Sequence, residues 1–199
     1  MADDLSRLQE LVGLRCWSAK AGLDREWLVV LDLGEKVRRS LRLANPTLNF
    51  QQRTYEGSHA VVVEGCWRID GPGSVVTSCL DARHPTDRLQ AGLEELEDLT
   101  VVGIEAQPPG HDLVVRFERD LCLRVFVLEP LPRPDASVPE GDRPPAPPRP
   151  PRCCWTVFTP AGSVRVGPHG QLGDPRSPHP DPKPPTGPNL SLVEDDPSR

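Results

Sequence analysis

Apolar and polar side chains alternate along most of the first 129 residues and again over 153–172, a period of two that predicts strands through the bulk of the chain. Trp27-Leu28-Val29-Val30-Leu31-Asp32-Leu33-Gly34 is apolar, β-branched and closed by glycine, and Ser40-Leu41-Arg42-Leu43 alternates. Residues 60–69 are long enough for one bent strand with a bulge at Gly65. Residues 112–118 turn through Arg119-Asp120 into 121–127, a hairpin that puts Leu113, Val115 and Phe117 on one face with Leu121, Leu123, Val125 and Val127. Two segments follow a helical period instead. Residues 3–12 place Leu5, Leu8 and Val12 on one side; residues 85–98, with Thr86 able to cap, place Leu89, Leu93 and Leu96 on one side and Glu94, Glu95, Glu97 and Asp98 largely opposite.

The strand pattern repeats. Leu28 to Leu33 followed by Leu41-Arg42-Leu43 matches Leu113 to Glu118 followed by Leu121-Cys122-Leu123. Cys66-Trp67-Arg68-Ile69 followed by Gly73-Ser74-Val75-Val76 matches Cys154-Trp155-Thr156-Val157 followed by Gly162-Ser163-Val164-Arg165-Val166, and Val12-Gly13-Leu14 matches Val102-Gly103-Ile104. The offsets are 85, 88 and 90 residues at Leu28, Cys66 and Val12 and 80 at Leu41, the differences being assigned to loops. The expected fold is therefore mainly β (α+β): two copies of an antiparallel four-stranded unit, at 11–80 and 99–172, joined by the helix at 85–98 and preceded by a short N-terminal helix. One four-stranded sheet cannot hide its apolar face alone, so the copies should pack together as a single domain over 1–172.

Composition changes this picture in one place. Twenty of the 25 prolines lie after residue 129, so 130–152 reads as a proline-rich, polyproline-II loop inside the domain and 173–199 as a disordered tail. The net charge of −6 lies wholly in residues 1–129, with 15 basic and 21 acidic side chains against 8 of each beyond, a balance that disfavours nucleic acid and anionic membrane as partners. Only Lys20, Lys36 and Lys183 are lysines, a bias toward arginine that points to a GC-rich, bacterial genome. The acidic start has no apolar run behind it and no span is long enough for a membrane, so the expected location is the cytoplasm. Cys16, Cys66, Cys79, Cys122, Cys153 and Cys154 sit mostly in strand-like surroundings and read as small buried hydrophobes of a reducing compartment rather than a disulfide framework.

Candidate chemistry is sparse. His59, His84, His111, His169 and His179 each adjoin a turn, proline or glycine and read as loop residues, although His111-Asp112 and His84 with Asp81 could serve as acid–base pairs. Cysteines or histidines at zinc-ligand spacing, a Gly-x-Ser-x-Gly elbow and a phosphate-binding glycine loop do not occur, Gly71-Pro72-Gly73 having no helix after it. No metal, cofactor or catalytic residue is therefore assigned. Trp67 and Trp155 hold matching positions and are expected in the core. The acidic edge Glu94, Glu95, Glu97 and Asp98 is the candidate partner-binding surface, for a basic protein. Arg38, Arg39 and Arg42 make a smaller basic patch, and Pro144 to Pro151 carries Pro-x-x-Pro spacings read here as a spacer.

Val12-Gly13-Leu14, Leu28-Val29-Val30-Leu31, the Phe117 to Leu123 hairpin and Trp155 to Gly162 together resemble a group of small bacterial β-rich proteins, some of which are similar to immunity proteins of polymorphic toxin systems. The resemblance spans most of residues 11–172 and rests on strand and turn patterns. It implies a non-catalytic protein-binding module, of immunity or defence-associated kind, and no catalytic residues. Two other readings are an accessory subunit of a larger assembly and a small enzyme with its site between the copies.

Overall fold

The computed structural model describes residues 5–22, 25–44, 48–81, 87–127 and 154–167. An N-terminal 3-10 helix (Arg7–Leu11) is followed by strands β1 (Cys16–Gly22) and β2 (Arg25–Arg38), helix α1 (Phe50–Thr54), and strands β3 (Tyr55–Val63), β4 (Cys66–Gly71) and β5 (Ser74–Ser78). Helix α2 (Asp87–Glu94) opens the second half, which continues through β6 (Val101–Gln107), β7 (Asp112–Phe117), β8 (Cys122–Phe126), β9 (Trp155–Thr159) and β10 (Gly162–Val166). Among the described residues the ten strands form two antiparallel five-stranded sheets, ordered β1-β2-β3-β9-β10 and β5-β4-β8-β7-β6. The mainly β, α+β class read from the alternation is thus the observed one. Each sheet takes three strands from one half of the chain and two from the other.

The two halves use the same registers. Val61 lies between Leu31 and Val157 in the first sheet, and Leu123 lies between Val115 and Ile69 in the second. Val63 faces Trp155 as Val125 faces Trp67. Both first strands carry the same bulge, between Cys16 and Ser18 and between Val101 and Gly103. Arg15 bridges Thr100, so the strand starts of the two halves meet each other. Around that bridge the hydrogen bonds come in matched pairs: Gly13 N to Val101 O (2.8 Å) with Asp98 N to Cys16 O (2.6 Å), and Cys16 N to Leu99 O (2.8 Å) with Val101 N to Leu14 O (2.9 Å). Gly13 and Asp98 both have positive φ, 88° and 69°. Glycine adopts this conformation freely, and aspartate is among the few other residues that tolerate it. The helices are exchanged as well. Gln9 of the first reaches Ile104 O on β6 at 3.0 Å, and Gln90 of α2 reaches Ala19 O on β1 at 3.4 Å.

The buried side chains of both sheets and both helices form one continuous core, in which Trp67, Trp155, Phe117, Leu31, Leu33, Ile69, Leu113, Leu123, Leu8, Leu11, Leu93 and Leu96 are the largest fully buried members. Complete burial of such a side chain contributes about 1.5–3 kcal/mol. Trp67 and Trp155 are core residues at matching positions, as expected, and the 112–127 hairpin buries the predicted face.

Several expectations change. The repeating unit is a helix and five strands, not four strands, and α2 is the counterpart of the N-terminal helix: Leu8 and Leu11 match Leu93 and Leu96, while Val12 is exposed. Residues 40–43 form no strand, and β2 pairs with β3 instead. Residues 60–69 are two strands in different sheets, separated at Glu64-Gly65. Val29, Leu31 and Leu33 correspond in burial to Leu113, Val115 and Phe117, an offset of 84 rather than 85. With side chains alternating between faces, that one-residue slip decides which of them enter the core. Val12-Gly13-Leu14 corresponds to Glu97-Asp98-Leu99 rather than to Val102-Gly103-Ile104, and Cys16 corresponds to Val101 at the start of β6. The 130–152 loop and the 173–199 tail lie outside the described residues.

Because both sheets are completed only by strands from the other half, chains severed after Asp81 should complement each other. Fragments 1–81 and 82–199 are each expected to lack a cooperative thermal transition as monomers and to regain it, with β-sheet circular dichroism, on mixing; a fragment that folds alone as a monomer would contradict the exchanged arrangement.

Candidate functional site

Among the described residues, the halves differ most where β2 passes to β3 in one and β7 to β8 in the other. The correspondence runs through Gly34 N to Arg15 O (2.9 Å) and Glu118 N to Thr100 O (3.0 Å), then stops. In the second half Arg119 and Asp120, both at positive φ, turn β7 directly into β8. In the first half residues 35–58 take their place as an arm, in which β2 and β3 continue pairing through Lys36 with Gly57, Val37 with Glu56 and Arg38 with Tyr55. Gly34, at φ 76°, sits at its base, where a Cβ would come 2.6 Å from Ser58 Oγ. The arm is closed by α1, whose Asn49 accepts from Gln52 N (2.9 Å) while Gln52 Oε1 accepts from Asn49 N (3.2 Å), a reciprocal cap. Arg39 donates to Tyr55 O (3.0 Å) and pairs with Glu56 (2.7 Å), and Leu43 N donates to Arg53 O (3.0 Å).

The arm reaches back over the outer face of its own sheet. Gln52 Nε2 donates to Ser18 Oγ (3.4 Å) and Gly57 N to Asp32 Oδ1 (3.1 Å). Asp32 also pairs with Lys20 across β1 and β2, and both side chains are buried, 2% and 10% exposed. The corresponding positions of the second half hold Arg116 and Glu105, the same ion pair with its signs reversed. These two, 2.5 Å apart and lying on no such arm, are 47% and 41% exposed, and Arg116 followed by Gln107 holds the Glu105 carboxyl below its usual range.

On its outer side the arm displays apolar and basic groups together. Leu41, Phe50 and Val37 are 64%, 55% and 45% exposed. The Arg42 guanidinium lies 5.1 Å from the centre of the Phe50 ring, and Lys36 lies 4.9 Å from that of Trp17. Residues 35–58 carry five basic side chains (Lys36, Arg38, Arg39, Arg42, Arg53) and two acidic ones (Glu35, Glu56), a net +3 in a chain of net −6, so the remainder is −9. The basic patch noted in the sequence thus belongs to a larger feature, which local pattern did not reveal because Leu41 and Phe50 look like ordinary strand and helix residues until their faces are seen.

The acidic edge is in part committed to the fold. Glu94 and Glu95 are exposed, with Gln90 donating to Glu94 (3.3 Å). Glu97 accepts from Ala19 N (3.0 Å), and Asp98 pairs with Arg15 (2.8 Å) at the bridge between the halves. Burial pushes the Glu97 carboxyl up, against the lowering effect of that backbone hydrogen bond.

Both carboxylates of the proposed acid–base pairs are held by backbone N–H groups, whereas the buried Nδ1 of His111 has no hydrogen-bond partner among the described residues. Asp112 accepts from Val127 N (2.7 Å), the His111 carbonyl accepts from Trp155 Nε1 (2.9 Å), and Asp81 accepts from Ser78 N (2.8 Å). His59 shares a hydrogen bond with Ser58 Oγ (3.0 Å); His84, His169, His179 and the Pro144 to Pro151 run lie outside the described residues. Among the described residues no group of three His, Cys, Asp or Glu side chains could hold a metal ion, and no helix is long and apolar enough to cross a membrane. Cys16 and Cys154 are buried, whereas Cys66, Cys79 and Cys122 are half-buried.

The matched ion pairs should differ sharply in their contribution to stability. Asp32→Ala leaves the Lys20 ammonium buried without its partner and should cost about 3–5 kcal/mol in urea unfolding, whereas Arg116→Ala should remain close to wild type. Glu97, with its folded pKa raised above the ordinary 4.5, favours the fold most when protonated, so its contribution is complete below that value and is lost as pH rises through the raised one. Urea titrations across that range should show the stability of the wild type declining relative to that of Glu97→Gln as pH rises.

No family model, curated protein or solved structure matches this chain.

Proposed function

We propose that this chain is a non-catalytic protein-binding module, of the immunity or defence-associated kind its strand patterns resemble, and that it engages its partner through the arm at residues 35–58. The observation that carries the reading is the arm itself: an added, hydrogen-bonded element in one of two halves with matched strands, exposing Leu41, Phe50 and Val37 on a segment that carries five basic side chains, with Arg42 against Phe50. Such side chains favour burial against another surface, and a clustered charge opposite to that of the surrounding molecule steers one orientation of approach. The partner that complements it presents an acidic rim around an apolar patch. Glu94 and Glu95, on the acidic edge, offer a surface of opposite character for a basic partner, and the experiment separates the two.

The full chain, expressed in its native host and isolated at low salt, should carry one acidic protein in stoichiometric amount. Leu41→Asp combined with Phe50→Asp changes only exposed side chains, so the thermal transition should stay within about 2 °C of wild type. Affinity for that isolated protein, measured by calorimetry, should fall at least about tenfold. Glu94→Lys combined with Glu95→Lys should leave it unchanged. The opposite pattern, with binding lost on changing the glutamates and kept on changing the arm, assigns docking to the acidic edge and removes this proposal.

A further inference from the structure

Cys66 opens β4, and Cys79 follows directly on β5, the strand with which β4 forms a hairpin. Cys79 N donates to Trp67 O (3.0 Å), and the Cys66 and Cys79 sulfurs lie 3.2 Å apart. A disulfide requires about 2.05 Å, so the sulfurs need to close by only about 1 Å, within reach of side-chain rotation. Both thiols are half-buried, leaving a path for a small oxidant. The second half has Cys154 and Val166 at the corresponding positions, joined by the backbone hydrogen bond Cys154 N to Val166 O (2.8 Å). Packing at this corner of the fold is thus met by valine where cysteine stands in the first half. Two of the other described thiols are placed differently: those of Cys16 and Cys122 face the carbonyls of Ser18 and Leu123.

We propose that Cys66 and Cys79 form a dithiol–disulfide site, oxidised by low-molecular-weight disulfides, that clips the edge strand β5 to β4. One cysteine loses its proton and attacks a sulfur of the small disulfide, breaking its S–S bond and releasing one small thiol. The second cysteine then loses its proton and attacks the protein sulfur of the mixed disulfide, forming the Cys66–Cys79 bond and releasing the second small thiol. The two protons pass to the departing thiolates; the protein gives up two electrons and the small disulfide takes them. Burial followed by the neighbouring thiol pushes the Cys66 thiol up to about 12, which makes it a slow nucleophile and, once bonded, a poor leaving group. The bond therefore forms slowly and resists reduction. Its structural effect falls on β5, which has β4 as its sheet neighbour and carries Thr77 against Gly92 of α2.

The test incubates the folded full-length chain with excess glutathione disulfide, blocks remaining thiols with iodoacetamide, and maps tryptic peptides. Cleavage at Arg53, Arg68 and Arg83 places Cys66 and Cys79 in separate peptides, 54–68 and 69–83. The expected product joins these two, two hydrogen masses lighter than their sum, with Cys16 still reduced as a sign that the fold stayed intact. The oxidised chain should melt about 5 °C or more above the reduced one, a shift reversed by dithiothreitol and missing in Cys79→Ser. If that variant fails to fold, the wild-type peptide map decides by itself. Carbamidomethyl groups on both cysteines, a persistent glutathione adduct on either, or Cys66 joined to a different cysteine would each overturn the proposal.

Discussion

The exchange of strands between halves is the constraint on which the rest of this molecule depends. Val61 and Val63 are paired on one side by Val157 and Trp155, and Leu123 and Val125 by Ile69 and Trp67. Remove either half and the inner strand of each surviving three-stranded group has an open edge, while the apolar face behind it loses part of its cover. Backbone hydrogen bonding and hydrophobic burial then fail together, because the same strands provide both. The bridge between Arg15 and Thr100, with its matched hydrogen bonds, joins the halves at the opposite edges of the sheets.

A scaffold with two matched halves presents the same framework twice, so distinct chemistry arises where the halves depart from each other. The outer ion pair shows how far a departure can go at fixed geometry. Lys20 with Asp32 and Glu105 with Arg116 occupy the same positions, yet the arm above the first pair hydrogen-bonds to Asp32 and helps remove it from water, while the second remains half open. Desolvation makes the buried pair's partners depend on each other; solvent screening leaves the exposed pair's partners nearly independent. The arm itself reverses the local sign of charge and brings Leu41 and Phe50 to the surface. At the far end of the same half, the close sulfurs of Cys66 and Cys79 replace what is a cysteine and a valine in the other.

The acidic edge shows why a run of like charges is a poor guide to a docking surface. Glu94, Glu95, Glu97 and Asp98 are neighbours in sequence, but the chain leaves α2 between them and turns into β6. Two of the four acquire partners from the first half, Ala19 N for Glu97 and Arg15 for Asp98. Those partners lie some eighty residues away and leave no trace in the local charge pattern.

The sequence by itself determined the β-rich class, the repetition of strand patterns, the inward face of the 112–127 hairpin, the core positions of Trp67 and Trp155, and the buried side of α2. Each of these follows from local periodicity, since alternation or a helical repeat states which side of an element must leave water. Only the tertiary structure decided which strands pair, that each sheet draws on both halves, and that 60–69 breaks into two strands at Glu64-Gly65. It also decided the offset of 84 in place of 85, the status of 40–43 as part of an arm, and the meeting of Lys20 with Asp32 and of Cys66 with Cys79. A period of two specifies a face and is silent on the neighbour. The neighbour is chosen by the combined burial and hydrogen bonding of strands far apart in the chain.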